Sequence, residues 1–246
     1  QTCALPIFML AWYFQRREGI QKNWDYAVAA IILAIPVFLI ARQPDLGTAL
    51  LVFAAGLYVI ILAGLPWKWI LPFVVLGIIG ILLIIIFGST ICAHDVVWPL
   101  VHNYQKHRVC TLLDPTSDPL GKGFHTIQSM IAIGSGGFFG KGWFQGTQAH
   151  LEFIPEKHTD FVFAVFSEEF GLLGNLVLLA LFFALIKRGL AISSSAPNLF
   201  TRLLGAAVTL IFFTYAFVNI GMVSGLLPVV GVPLPFISYG GTALVT

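Results

Sequence analysis

Five uninterrupted apolar runs, each long enough to cross a bilayer, constrain this sequence more than any other feature. A membrane-spanning helix needs about 17–25 largely apolar residues, whereas a membrane β-barrel shows short segments of alternating polarity. The runs here are continuous, and 10% of the 246 residues are charged, against about 25% in soluble domains. The sequence therefore predicts an all-α polytopic membrane protein. Its spans are expected at residues 26–41, 46–66, 69–87, 161–186 and 203–223, with partial spans at 4–14 and 229–246.

Positive charge alternates between the connections of these spans. One side carries seven Lys and Arg residues, namely Arg16, Arg17, Lys22, Lys68, Lys187, Arg188 and Arg202. The short loop on the other side carries only Arg42. Because cytoplasmic loops are enriched in Lys and Arg, the first side is predicted to be cytoplasmic. The long 88–159 loop then lies outside, and the net charge of +2 gives no indication of a nucleic-acid partner.

The two ends of the sequence indicate a fragment, because it lacks an initiator Met and stops inside an apolar segment. The opening QTCALPI also resembles a translated sequencing-library adapter. Residues 1–7 are therefore expected to be non-native, and residues 8–246 to form one incomplete membrane domain.

The 88–159 loop is predicted to be an ordered lid, since Gly alternates with aromatic and aliphatic residues that can bury surface. An amphipathic helix is expected at 125–133 and Gly turns at 134–142. All six His lie in this loop at spacings that do not suggest a metal site, and each is expected to be solvated. Cys92 and Cys110 also lie here, and the sequence leaves both a disulfide and free thiols open.

Charged residues crowd the start of the fourth full span, in PEKHTDFVFAVFSEEFG at 155–171. Thr159 or Asp160 can cap the helix that begins there, and capping alone would explain either residue. Glu168 and Glu169 lie ~12 to 14 Å further along, at hydrocarbon depth, where a carboxylate is costly and faces a polar interior. The sequence therefore predicts a polar cavity beside this helix.

The helical wheel separates the side chains of that helix. Ser167 projects close to the Asp160 face, Glu168 about 80° from it, and Glu169 roughly opposite. Glu168 is therefore predicted to share the cavity with Asp160. Because the visible spans contain no Lys or Arg, its partners are expected to be water, hydroxyls or residues outside this chain. Buried hydrogen-bonded pairs without a role in function remain an equal alternative.

A proline-rich segment, residues 219–241, interrupts the apolar pattern near the end of the sequence. Pro228, Pro233 and Pro235 each remove a backbone donor and disfavour helix. Irregular backbone at membrane depth is tolerated only against protein or a water-filled cavity. A substrate cavity or a simple outer turn between two spans would explain it. An amphiphilic, anionic ligand would suit basic loop residues above apolar spans.

Several long motifs resemble the SEDS family (shape, elongation, division and sporulation). They are RQPDLGTALLVF, YQKHRV, LLDPTSDPLGKGFHTIQS, AIGSGGFFGKGWFQGTQAHLEFIPEKHTDFVFAVFSEEFGLLG and FVNIGMVSGLLPVVGVPLPFISYGG. LEFIPEKHTDF and the loop spacing are more similar to the rod-shape branch than to the division branch. The resemblance implies a ten-helix inner-membrane fold. This chain would run from part of helix 4 to the start of helix 10, with the 88–159 loop between helices 7 and 8.

The resemblance also implies a function. SEDS proteins are peptidoglycan glycosyltransferases that polymerise lipid II, the undecaprenyl-pyrophosphate-linked precursor. Our hypothesis for the reaction is that the configuration at the donor sugar inverts. They act with a class B penicillin-binding protein. The functional Asp of their TDF motif corresponds to Asp160, which is expected to be the catalytic base. A lipid II flippase, or a non-catalytic scaffold for the penicillin-binding protein, is the alternative.

Seven further residues are predicted to contact the substrate, namely Arg108, Lys122, Lys141, Gln128, Gln148, Glu168 and Ser167. Arg108 comes first, because a guanidinium can bind two phosphate oxygens at once. For each loop cation a solvated role is an open alternative. No cofactor or metal ligand is predicted, and a divalent cation, Mg²⁺ or Mn²⁺, on the pyrophosphate is left open.

Overall fold

A computed structural model of the chain describes residues 4–20, 23–43, 46–88, 92, 103–114, 122–147 and 159–239. Within these ranges the regular secondary structure is entirely helical, which confirms the all-α prediction. The helices are α1 (Ala4–Arg17), α2 (Asn23–Arg42), α3 (Leu46–Leu62), α4 (Trp67–Ile86), α5 (Asn103–Leu113), α6 (Lys122–Ser135), α7 (Val162–Ser194) and α8 (Leu199–Val223).

Helices α2, α4, α7 and α8 are long and apolar enough to cross a membrane, and α3 is a shorter apolar helix. The predicted spans fall on these elements. Helix α7 continues eight residues beyond the predicted end at 186 and has 33 residues in all. The part after its break at Gly171 is by itself long enough to cross, since about 20 helical residues at ~1.5 Å each span the hydrocarbon core of about 30 Å. Lys187 and Arg188 favour helix and have long side chains that reach polar surroundings, so they do not end it.

The predicted partial span at 229–246 is wrong over its described part. Residues 224–239 form turns and irregular backbone after α8, and residues 240–246 lie outside the described ranges. Pro228, Pro233 and Pro235 explain this difference, because each lacks the N–H that a helix would require. The predicted partial span at 4–14 is part of α1.

The chain divides into two compact units. The first comprises residues 1–67, 177–217 and 241–246. In it α1, α2 and α3 pack together around a buried core that includes Leu10, Phe14, Leu33, Val59 and Leu203. Ile7 also belongs to this core, and the expected non-native origin of residues 1–7 stays a prediction.

The second unit comprises residues 68–176 and 218–240 and contains every predicted site residue that the structure describes. Helix α6 confirms the amphipathic helix expected at 125–133, and the Ser129 hydroxyl donates a hydrogen bond of 2.8 Å to the carbonyl of Val223. The Gly turns expected at 134–142 are also confirmed, because Gly137, Gly140 and Gly142 have φ values of 58°, 80° and 105°. Only glycine adopts such angles without steric cost.

Candidate functional site

Asp160 lies in a turn directly before α7, two residues ahead of Val162. Its side chain is partly exposed, whereas the next residue, Phe161, is buried. The carboxylate lies against Gly231 of the proline-rich segment, where an added Cβ would lie 3.2 Å from Asp160 Oδ2. Gly231 has a φ of 76°, so the backbone there takes a conformation that other residues rarely adopt. The bare glycine thus leaves room for the carboxylate.

Asn219, near the end of α8, joins this turn to the proline-rich segment. Its side-chain amide donates one hydrogen bond of 2.8 Å to the carbonyl of Asp160 and another of 2.6 Å to the carbonyl of Val232. The Asn219 side chain is completely buried. One amide group therefore holds the backbone of both segments together.

Ser238 makes a second connection to the same turn. Its hydroxyl donates a hydrogen bond of 2.6 Å to the carbonyl of Thr159 and accepts one of 2.7 Å from the backbone N–H of Leu234. The carbonyls of the two successive residues Thr159 and Asp160 thus each accept a hydrogen bond from a buried side chain, Ser238 and Asn219 respectively. This fixes the backbone from which the Asp160 carboxylate projects.

Helix α6 closes another side of the turn. The imidazole ring of His125 packs edge-on against Phe161, with ring centroids 6.1 Å apart. His125 is only partly exposed, so the expectation that this histidine is fully solvated is wrong. The reason is that α6 packs over the end of α8, where Gly225 lies against Met130 and Thr126.

Arg108 lies on α5 beside residues 227–229 of the proline-rich segment. It lines a small depression together with Thr111, Leu112, Thr126, Leu227, Pro228 and Val229. Arg108 and Asp160 therefore both border residues 227–231, the first near Pro228 and the second near Gly231. The structure brings the predicted base and the preferred cation to one short stretch of backbone.

Glu168 and Lys141 form a buried ion pair. The Lys141 ammonium donates to Glu168 Oε1 at 2.6 Å, and the Thr147 hydroxyl donates to the same oxygen at 3.0 Å. Glu168 is fully buried and Lys141 keeps 29% of its side-chain surface exposed. The hydroxyl partner agrees with the sequence-based expectation, but the cation does not. Lys141 comes from the 88–159 loop, which the spans alone could not indicate.

A break in α7 allows the loop to reach Glu168. Gly171 has φ 65° and ψ −161°, a combination essentially restricted to glycine, and the regular helical hydrogen bonds are interrupted there. Four main-chain hydrogen bonds of 2.9–3.1 Å replace them, from Lys141 N to Glu168 O, Gly142 N to Glu169 O, Leu172 N to Gly137 O and Leu173 N to Phe138 O. The loop is thus attached through backbone.

Ser167 is buried and its hydroxyl is engaged within the protein. It donates to the carbonyl of Phe163 at 2.7 Å and lies 3.0 Å from Asn175 Oδ1. Residues eight apart would be separated by about 12 Å in a straight helix, so this contact depends on the break at Gly171. Because the side chain is completely buried and its proton is directed to protein acceptors, the hydroxyl is not accessible to a ligand.

The remaining predicted contacts receive less support from the structure. Gln128 is partly buried on α6. The side chain of Lys122 and the whole of Gln148 lie outside the described residues.

Cys92 and Cys110 form a disulfide, which settles the alternative that the sequence left open. It joins α5, the helix that carries Arg108, to the segment after α4.

A family profile described as "Cell cycle protein", which covers FtsW, RodA and SpoVE, matches residues 3–246. The chain belongs to this family. This confirms the resemblance to SEDS proteins that the motifs indicated.

Curated SEDS relatives match almost the whole chain. It is 54% identical to Peptidoglycan glycosyltransferase MrdB of Escherichia coli (strain K12), over 98% of this chain and 62% of that protein. It is 36% identical to Stage V sporulation protein E of Bacillus subtilis (strain 168), again over 98% of this chain and 62% of that protein. The chain thus spans less than two thirds of the length of these relatives.

Solved structures of SEDS proteins share the fold. One, described as "Structural coordination of polymerization and crosslinking by a peptidoglycan synthase complex", has a TM-score of 0.72 at 36% identity and covers 98% of this chain and 63% of its own. The crystal structure of the rod shape determining protein RodA of Thermus thermophilus has a TM-score of 0.60 at 29% identity, covering 98% and 57%. The helix numbering within the ten-helix fold stays a prediction.

Sequence reasoning missed three residues that shape the site of this SEDS chain, namely Asn219, Gly231 and Ser238. Asn219 was detectable in principle, because a lone amide inside an apolar span normally has a specific partner. Gly231 and Ser238 gave no comparable signal, since Gly and Ser are common in turns.

Proposed function

We propose that this chain is part of a peptidoglycan glycosyltransferase of the rod-shape type, which polymerises lipid II. The observation that carries the proposal is the placement of Asp160. Its partly exposed carboxylate lies against Gly231 at the start of a membrane helix, and buried side chains hold its backbone in place. The identity of 54% to an E. coli protein named for this activity supports the same conclusion.

In the proposed reaction Asp160 acts as the general base. It accepts the proton of the acceptor 4-hydroxyl while that oxygen forms a bond to the anomeric carbon of the donor sugar. The bond from that carbon to the undecaprenyl pyrophosphate breaks, and the configuration inverts. A positioned base contributes roughly 10²- to 10⁴-fold to such a rate.

Arg108 is the proposed contact for the leaving pyrophosphate, because it borders the same backbone stretch as Asp160. Lys122, Gln128 and Gln148 are proposed to contact the substrate from the outer loop. Lys141 and Glu168 already neutralise each other, so their proposed contribution is to hold the loop that carries these contacts. Ser167 would contribute indirectly, through the hydrogen bond from its hydroxyl to Asn175, rather than by touching the substrate.

A divalent cation was an open expectation from the sequence. The described part of the chain brings no three His, Cys, Asp or Glu side chains together. These residues therefore do not fit a metal site built by the protein alone, and the proposed steps use none.

We further propose that the protein crosses the bacterial cytoplasmic membrane several times and works with a class B penicillin-binding protein. The Cys92–Cys110 disulfide supports an outer position for the long loop, since disulfides persist in oxidising compartments. The solved relative described as a peptidoglycan synthase complex supports a partnership between polymerisation and crosslinking.

The test compares Asp160→Asn with Asp114→Asn in the full-length protein, purified with its penicillin-binding partner and supplied with labelled lipid II. Asp114 is an exposed carboxylate at the end of α5, in the same outer loop. We expect Asp160→Asn to lower the rate of glycan-chain formation by about 10²- to 10⁴-fold, and Asp114→Asn to retain it.

Two results would contradict this function. If the unmodified protein moves lipid II across vesicles but forms no chains, it is a flippase. If Asp160→Asn forms chains normally, the site is not catalytic. The same conclusion follows if neither the unmodified protein nor Asp160→Asn forms chains while both bind the partner and restore cell shape.

A further inference from the structure

We infer that Asn219 is a positioning residue that fixes the direction of the Asp160 carboxylate, an inference that rests on the proposed role of Asp160 as the base. The hydrogen bonds of Asn219 go to backbone carbonyls. Its amide holds the Asp160 carbonyl at 2.8 Å and the Val232 carbonyl at 2.6 Å, and so sets the distance between the turn and the proline-rich segment.

The orientation of the amide is determined by its surroundings. Both groups that face Asn219 Nδ2 are carbonyl oxygens, which can only accept hydrogen bonds. Rotating the amide by 180° would place its own oxygen against both of them. The site therefore favours the orientation in which the Asn219 amide N–H groups donate to the Asp160 carbonyl and to the Val232 carbonyl.

The other half of the amide argues against a purely stabilising role. Asn219 Oδ1 is buried and has no hydrogen-bond partner among the residues that the structure describes. A buried polar atom without a partner is unfavourable, and a Leu of similar size would pack in an apolar helix without that cost. The side chain is thus suited to holding two backbone segments in register rather than to stabilising α8.

Holding the segments in register matters because the carboxylate lies between them. Gly231, one residue before Val232, lies beside the Asp160 carboxylate, and a Cβ added there would be 3.2 Å from Asp160 Oδ2. Moving the turn away from Val232 would therefore shift the carboxylate relative to Gly231 and to the Arg108 side of the same segment. A misplacement of about 1 Å in a reacting group can lower a rate on the order of 100-fold.

The test measures kcat and KM for lipid II polymerisation by the full-length protein with its partner. We expect Asn219→Leu to lower kcat on the order of 100-fold and to leave KM within about twofold. The matched control is Thr214→Val on the same helix, which removes a partly buried hydrogen bond of 2.8 Å to Tyr58 and should leave both constants near their original values.

Ser238→Ala provides an independent variant, because it releases the adjacent Thr159 carbonyl. It should also lower kcat with little change in KM. The double variant should lose less than the product of the two single losses, since both changes release one turn. A fully structural role predicts instead that the rate falls only in proportion to the folded fraction, and that the two losses multiply.

The outcomes separate this inference from the proposed function. If Asp160→Asn abolishes chain formation but Asn219→Leu behaves like Thr214→Val, the positioning role is wrong and the proposed function stands. If Asp160→Asn retains activity, the proposed function fails first. A raised KM with unchanged kcat in Asn219→Leu would overturn the inference. Should Asn219→Leu not fold, the kcat and KM of Ser238→Ala decide.

Discussion

Two carboxylates eight residues apart on one segment, Asp160 and Glu168, are held in opposite ways. Asp160 is partly exposed, and the protein fixes the backbone around it through Asn219 and Ser238. Glu168 is fully buried, and the protein fixes its charge directly through Lys141 and Thr147. The first arrangement leaves a carboxylate oriented and accessible, and the second leaves it neutralised.

The two arrangements suit different roles, namely that of a general base, which we propose for Asp160, and attachment of the loop by Glu168. A general base must be reachable by its substrate, and the partly exposed Asp160 carboxylate on its fixed backbone meets this requirement. A buried carboxylate needs a cation and further hydrogen bonds to offset its desolvation. Glu168 has these partners, and both come from the loop. The Glu168 charge is therefore used to hold the loop on α7.

The largest effect expected from this comparison is on stability. Glu168→Gln should lower the free energy of unfolding by about 3 kcal/mol, because it removes one charge of the ion pair. This value is the low end of the range of roughly 3–5 kcal/mol for breaking a buried pair, since Lys141 is partly exposed. Asp160→Asn should change it by less than about 1 kcal/mol, as is usual for exposed positions. Unfolding in detergent, followed by heating or denaturant, measures both.

The control for that prediction is the double variant Glu168→Gln with Lys141→Met, which removes both charges. It should recover much of the loss, because the uncompensated and only partly exposed Lys141 cation is gone. Equal stabilities of Glu168→Gln and Asp160→Asn would show that the ion pair does not hold the loop.

A smaller effect is expected from Gly231→Ala, on activity. The new methyl group would lie 3.2 Å from Asp160 Oδ2 and would push the carboxylate aside. We expect a loss of about tenfold in the polymerisation rate, well below that of removing the base. The matched control is Gly137→Ala, whose φ of 58° imposes similar strain but whose added methyl group meets nothing within 4 Å. An equal loss in both variants would indicate backbone strain alone.

The smallest effect is expected from Thr147→Val, which keeps the shape of the side chain and removes its hydroxyl. The Thr147 hydroxyl accepts from Lys141 at 2.9 Å and donates to Glu168 at 3.0 Å. Thr147 is exposed, so we expect a loss of about 0.5–1 kcal/mol in unfolding free energy. A loss as large as that of Glu168→Gln would show that the hydroxyl, rather than the charge, dominates this cluster.

The membrane helices were predictable because a bilayer requires long apolar runs, and few other structures use them. The irregular backbone of the proline-rich segment was also predictable from its missing backbone donors, although the partial span expected at 229–246 was wrong over its described part. The partner of Glu168 could not be predicted in this way, because Lys141 lies 27 residues earlier and reaches Glu168 only through the break at Gly171. A single glycine in an apolar run gives no local signal of such a break.

The site was only partly predictable for the same reason. Asp160 stood out as a charge at the start of a span, but its position depends on Asn219, which lies 59 residues away along the chain. Hydrophobic periodicity describes each helix separately and contains no information on which side chains meet. The resemblance to SEDS proteins identified the aspartate, and the coordinates identified what holds it.

The backbone pairing between the Gly-rich loop and the interrupted helix has an evolutionary consequence. Its four hydrogen bonds use only main-chain atoms, so they persist whichever side chains the loop carries. Phe138, Phe139 and Phe144 can therefore be exchanged without breaking these bonds, provided that the glycines that allow close approach are kept. Trp143 differs, because its ring also packs against Phe170 of α7. This part of the loop surface can diversify while the backbone pairing, Lys141 and Thr147 keep the loop on α7.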